Sequence, residues 1–339
     1  MRQKALLSLL GLYVLAAGVW VVASGFTRHT ELLNVGCDPT RELWRDINAA
    51  FIADYQRRTG VTIGIRQSHG GSGSQARAVI DGLPADVVTL ALWSDTDAIR
   101  TAGRMAADWE DQFPNRSLPY ISTIVFVVRK GNPKRIADWP ELARPDVRVV
   151  TPDPKTSGNG KWSFLALWGS VVTRGGSAAD AERYVATVYR NVPVLGSAAR
   201  EATITFAKHK IGDVHLTWEN EAYLEVKESA GELEVVHPPS SVRAEPHVAV
   251  VDAVVDQKGS RATAEAYLNF LYTPDAQRII AEHYYRPTLP EVAAETRHRF
   301  PKIDLFPATV CGPDWDAINQ RYFGEGGVFD RMQAGGRGR

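Results

Sequence analysis

Cysteine is scarce: Cys37 and Cys311 are the only two in 339 residues. That is too few for a disulfide-dense scaffold or a zinc module built on cysteines. Charge of one sign is equally wanting, since 39 Lys and Arg face 39 Asp and Glu. A chain so balanced has no sequence-wide field for nucleic acid or an anionic membrane surface, and no nucleic-acid partner is expected. The eight His are scattered without an H-E-x-x-H pairing, so no metal and no other cofactor is expected. Neither a GxxxxGK[ST] loop nor a G-x-S-x-G elbow occurs, which argues against a P-loop nucleotide site and leaves a hydrolase without its nucleophile. Hydrophobic residues at 44%, with 28 Gly and 19 Pro, exclude wholesale disorder and a collagen-like chain.

One long apolar run is present. Arg2 and Lys4 precede Ala5 to Ala23 (ALLSLLGLYVLAAGVWVVA), which reads as the charged and apolar regions of a secretory signal. The mature chain is then expected in the periplasm or another extracytoplasmic space. The run approaches the ~20 residues that span a bilayer, and no clean A-x-A site follows, so residues 1–28 are either a cleaved signal or an N-terminal anchor. Cys37 stands well beyond the run, behind Asn34-Val35-Gly36, which argues against lipid attachment there.

The remainder alternates helix and strand patterns. Asp38-Pro39 can open a helix with Pro at its first position; Leu43, Ile47 and Phe51 then recur every four residues and Gly60 closes it. Val61, Ile63 and Ile65 follow at period two, a strand signal. After a Gly-rich loop, Val79, Ile80 and Leu83 mark a helix, and Val87 to Leu92 (VVTLAL) suits a strand buried on both faces of a parallel sheet. Further on come a strand at Val147 to Val150, helices near Trp162 to Trp168 and Ala181 to Arg190, and a strand near Asp213 to Thr217. This is an α/β pattern with room for about two lobes of ~150 residues. Two extended segments, Ile121 to Val128 and His247 to Val255, are placed to carry the chain from one lobe to the other and back. The expected division is lobe I over 29–120 and 250–330, lobe II over 121–249 and a disordered tail over 331–339. Two crossings leave a cleft that hinge closure can shut on a ligand.

Chemistry concentrates in three loops, each with a plain structural alternative. Ser68-His69-Gly70-Gly71-Ser72-Gly73-Ser74 lies between a strand and a helix, where converging backbone N–H groups and a helix N-terminus can hold an anion. The alternative is a flexible turn in which Ser72 or Ser74 merely caps the helix. The segment also resembles the HGGG oxyanion loop of esterases. Pro152 to Gly160 (PDPKTSGNG) repeats the design further along, or is an ordinary strand–helix connection. Trp218, in the run Asp213 to Glu221 (DVHLTWENE), sits at the carboxyl end of a strand, where open α/β sheets bind ligands. There it is either a donor or a packed core residue.

Taken together, the sequence closely resembles the periplasmic sulfate-binding proteins of sulfate/thiosulfate ABC importers, from about Leu32 to Asp330. The matching stretches include Asp38 to Leu43 (DPTREL), Gln67 to Leu92, Pro119 to Pro133 (PYISTIVFVVRKGNP), Trp218 to Ala222 (WENEA) and Tyr284 to Pro287 (YYRP). The resemblance implies a two-lobed α/β periplasmic-binding-protein fold, no catalysis, and a monomer serving a membrane ABC permease with its ATPase subunits. It implies ligand contacts from Ser72 (backbone N–H and hydroxyl) in one lobe, and from Ser157, Gly158, Asn159, Ala199 and the Trp218 indole in the other. Asp38, Gly71 and Arg200 would support the site without holding the anion. Two positions depart from the family pattern: Asn159 and Ala198 each replace a glycine. Asn159 is expected to keep a glycine-like positive φ, whereas Ala198 would be strained if positive φ were required.

The implied ligands are all uncharged donors. Sulfate is acceptor-only at neutral pH and satisfies them, while the proton of hydrogen phosphate would be buried unpaired at ~1–3 kcal/mol. Thiosulfate, molybdate and tungstate suit the same donor set. His69 is the group whose protonation would break the expected flat pH response.

Overall fold

The structure, a computed structural model, describes residues 30–336. The signal or anchor expected over residues 1–28 lies outside the described residues. Among those described, no helix is long and apolar enough to cross a membrane.

The first unit is built on a four-stranded sheet in the order β11-β3-β1-β2. Strand β1 (Thr30–Cys37) pairs in parallel with β2 (Ile63–Gly70) and with β3 (Val87–Thr89), and β11 (Val248–Val250) returns antiparallel to β3. Helix α1 (Arg41–Thr59) buries Leu43, Ile47 and Phe51, and ends at Gly60 with φ 75° and its amide bonded back to the Gln56 carbonyl. Asp38 does not cap this helix. It opens a short 3₁₀ turn, Asp38–Thr40, and its carboxylate takes Arg41 at 2.8 Å.

Strand β2 runs differently from the expectation. Val61 is 43% exposed and lies outside it, whereas Ser68, His69 and Gly70 lie inside, because β2 follows β1 for the whole register from Thr30↔Ile63 to Cys37↔Gly70. The expected seven-residue loop shrinks to Gly71, from which helix α2 (Ser72–Ile80) starts with no side-chain cap from Ser72 or Ser74. Leu83 falls beyond the end of α2. Helix α3 (Trp93–Thr101) follows β3.

The chain leaves the first unit after β4 (Tyr120–Ile121), beside the segment that returns. Ser122 bridges Ala244, Thr123 Oγ1 donates to the Val242 carbonyl at 2.8 Å, and Ser241 Oγ donates to the Ile124 carbonyl at 2.7 Å. The second unit holds a five-stranded sheet in the order β7-β6-β8-β5-β9. Its strands are β5 (Ile124–Arg129), β6 (Val149–Pro152), β7 (Leu195–Gly196), β8 (Val214–Trp218) and β9 (Leu233–Val236), with β5 antiparallel to both its neighbours. Against it pack α4 (Gly158–Val172), α6 (Ala199–Thr203) and α7 (Glu219–Glu228), while α5 (Ala178–Arg190) lies on α4. Strand β10 (Ser240–Val242) precedes the return.

The expected strand His247 to Val255 is only three residues long. From Asp252 the chain turns into α8 (Asp252–Lys258), with Val255 N bonded to the Val251 carbonyl. Val254 and Val255 lie in that helix, packed on different core clusters, and a short apolar run cannot be assigned to strand or helix by pattern alone. Helices α9 (Arg261–Phe270) and α10 (Pro274–Glu282) complete the first unit.

A third passage follows. Strand β12 (Arg286–Pro287) pairs with β4, but β13 (Asp304–Phe306) pairs with β10. From there the C-terminal segment packs on the second unit, Phe323 against Phe164 at 5.1 Å and Phe329 against Tyr189 at 5.3 Å between ring centroids. Residues 304–330, assigned to lobe I from sequence, thus lie on α4 and α5. The expected tail is helical through α11 (Val328–Gly336), because Phe329 and Met332 have apolar partners.

Candidate functional site

Three connections of each unit converge at the carboxyl ends of their strands. From the first come Cys37, the last residue of β1, with Asp38 and Pro39 behind it, Gly70, the last residue of β2, with Gly71 and Ser72 behind it, and Ala91 after β3. From the second come Ser157, Gly158 and Asn159 after β6, Ala199 after β7, and Trp218 at the end of β8. Together they line a small shared space. Every ligand-contact residue expected from sequence lies on this wall, as do Asp38 and Gly71. Arg200 does not.

The wall is rich in donors without internal partners. The first N–H groups of an α-helix have no intrahelical acceptor. In α4 the Gly160 amide is taken by Ser157 Oγ at 3.3 Å, leaving the Gly158 and Asn159 amides for the cavity. The Ser157 amide is already bonded to the Asp153 carbonyl at 2.9 Å, so Ser157 can offer only its hydroxyl. Ser72 Oγ accepts from the Ala91 amide at 3.1 Å, which likewise leaves the Ser72 hydroxyl proton free to donate. The indole Nε1 of Trp218 is buried and has no hydrogen-bond partner. Helix N-termini from both units add partial positive charge, yet no Lys or Arg lines the space.

Neither glycine replacement strains the backbone. Asn159 is the second residue of α4, within the helix and not among the positive-φ residues, so the expected glycine-like conformation is not required. Ala198 has φ −147° and ψ 167°, extended backbone open to any residue.

Closure brings the two units into contact around the space. A Cβ added at Gly158 would stand 2.6 Å from Ala91 Cβ and 3.2 Å from Ser72 Cβ, so this glycine is needed for close approach. Trp162 Nε1 donates to the Ala91 carbonyl at 2.8 Å, and Asn220 Nδ2 to the Pro39 carbonyl at 2.9 Å. Arg200 spans the cleft from α6, reaching Glu42 at 2.8 Å and Glu221 at 3.1 Å. Ala91 and Trp162 were missed by sequence reasoning. Ala91 sits inside an apolar run that reads as pure core, and acts through its backbone.

Two titrating groups lie nearby. His69 faces away from the space, its ring nitrogens near the Cys37 carbonyl at 3.1 Å and Gln67 Oε1 at 2.7 Å, and burial lowers its pKa. Burial pushes the Glu221 carboxyl up to about 8, against the opposing pull of Arg200. The cysteines are free and buried, and burial pushes the Cys37 thiol up to about 12. A roomier groove along the strand crossings contains Arg116 and Arg243, but both are already paired, with Glu110 at 2.8 Å and Glu245 at 3.1 Å.

Residues 42–286 match the family described as bacterial extracellular solute-binding protein. The chain belongs to that family. Among this solute-binding protein's relatives, the sulfate-binding protein of Escherichia coli K12 is 48% identical over 324 residues, 95% of this chain and 97% of the relative. The thiosulfate-binding protein of Pseudomonas aeruginosa is 46% identical over 323 residues, 94% and 96% of the two chains. Among solved structures, the sulfate-binding protein of Mycobacterium tuberculosis H37Rv superposes with a TM-score of 0.80 at 32% identity, covering 87% of this chain and all of that one.

Proposed function

We propose that this solute-binding protein captures sulfate, or thiosulfate, between its two lobes and hands it to a membrane ABC permease driven by ATPase subunits, with no catalytic step. The observation that carries the reading is the Trp218 indole, a buried donor with no partner on a wall of helix N-termini and serine hydroxyls. Leaving such a donor unpaired costs ~1–3 kcal/mol, which an acceptor-rich ligand recovers. A tetrahedral dianion presents acceptors in every direction, and fixed dipoles can hold it without a counter-charge. The relatives named for sulfate and thiosulfate support the same reading. Capture for import requires an extracytoplasmic chain, in keeping with Arg2, Lys4 and the apolar run Ala5 to Ala23.

Calorimetric titration with sulfate, thiosulfate, molybdate and tungstate tests the proposal. Sulfate or thiosulfate should bind at micromolar concentration or below. Heat from molybdate or tungstate alone would reassign the ligand. Absence of binding by all four would remove the anion reading.

A further inference from the structure

Asn159 brings an unused acceptor to a wall otherwise described by its donors. The residue is 2% exposed. Its Nδ2 donates to the Leu216 carbonyl at 3.4 Å, while Oδ1 is fully buried and has no hydrogen-bond partner. Exchanging the two amide atoms would set Oδ1 against the Leu216 carbonyl, acceptor against acceptor. Side chains of an α-helix lean toward its N-terminus, and the cavity lies at the N-terminus of α4.

We propose that Asn159 Oδ1 broadens this site to singly protonated tetrahedral dianions, of which hydrogen phosphate is the simplest. The proposal rests on the anion reading given above. The reasoning for Trp218 applies here with the sign reversed. A fully ionised anion meets the indole donor but leaves Oδ1 unpaired. A dianion that keeps one O–H meets the indole with an oxygen and Oδ1 with its proton. Asp38, another acceptor on the wall, already has a carboxylate oxygen engaged by Arg41 at 2.8 Å.

The test is calorimetric titration of the full chain with sulfate and with inorganic phosphate at about pH 8, where phosphate carries two charges and one proton. Wild type, Asn159→Gly and Asn159→Ala are compared, with thermal melts establishing that each variant is folded. Wild type should bind both anions. In both variants the sulfate-to-phosphate affinity ratio should rise about tenfold, the size expected for one unpaired buried proton. A sulfate-to-phosphate ratio unchanged from wild type in the variants, with sulfate still bound, overturns the role of Asn159 and leaves the sulfate site standing. Wild type that binds sulfate but no phosphate overturns it too. Wild type that binds neither overturns the anion reading beneath it.

Discussion

Trp218 carries an unmet hydrogen-bond donor into a buried site, so its replacement should cost more with ligand than without. With ligand present, Trp218→Phe removes a bond to a charged acceptor and should weaken sulfate binding by about 1.5–3 kcal/mol. Without ligand the same change removes an unpaired donor, so the melting temperature should fall less than for Trp162→Phe, which breaks a 2.8 Å bond to the Ala91 carbonyl. Titration and melting of both variants check the pair. An unaltered sulfate affinity in Trp218→Phe would remove the indole from the site. Glu221 supplies a pH dependence. Its folded pKa is raised above the ordinary carboxylate value, so the protonated form favours the fold, and that contribution is lost as pH rises through about 8. Thermal melts from about pH 5 to about pH 8 should fall more steeply for wild type than for Glu221→Gln. Parallel profiles would mean that Glu221 does not titrate in this window.

At the scale of elements, strands deliver helix N-termini to one point, and glycine sets how closely they approach. Gly158→Ala should keep the fold, since position 158 begins a helix in which Ala is favourable, but the new methyl would meet Ala91 across the cleft. Sulfate affinity should drop more than tenfold, with the loss expressed as failure to close. Small-angle scattering with and without sulfate would register it, and full compaction of the variant would contradict the argument. Gly169→Ala acts elsewhere: its Cβ would clash with the Phe306 ring, so stability should fall by about 1–3 kcal/mol from overpacking. Legibility differed between these elements. Helix α1 could be read because Leu43, Ile47 and Phe51 obey one period and Gly60 ends it. The start of α2 could not, since nothing in Ser68-His69-Gly70 reveals that β1 will hold these residues in its ladder. Helix α8 was missed because tertiary contacts, rather than local pattern, decide how an apolar run such as Val248 to Val255 is divided.

In the whole molecule, the two units meet through donations to the Ala91 and Pro39 carbonyls, the Arg200 bridge between Glu42 and Glu221, the Arg286–Glu219 ion pair and the stack of Tyr223 on Tyr284. Ser72, Ser157, Gly158, Asn159, Ala199 and Trp218 were legible on the wall through family resemblance, unlike Ala91; the outward crossing opens the apolar run Ile121 to Val128, but the return lies at Ser241 to Ala244, ahead of the run His247 to Val255. The third passage was not legible, because Asp304–Phe306 carries no local sign that its partner is Ser240–Val242. That passage places the two ends of the described chain on different bodies, Thr30 on the first sheet and α11 against the helices of the second. Their separation is therefore a coordinate of the hinge. A donor fluorophore at one end and an acceptor at the other would convert anion capture into a change of energy transfer, with no probe inside the cleft, so the protein's own connectivity makes it a ready scaffold for an optical reporter of its ligand.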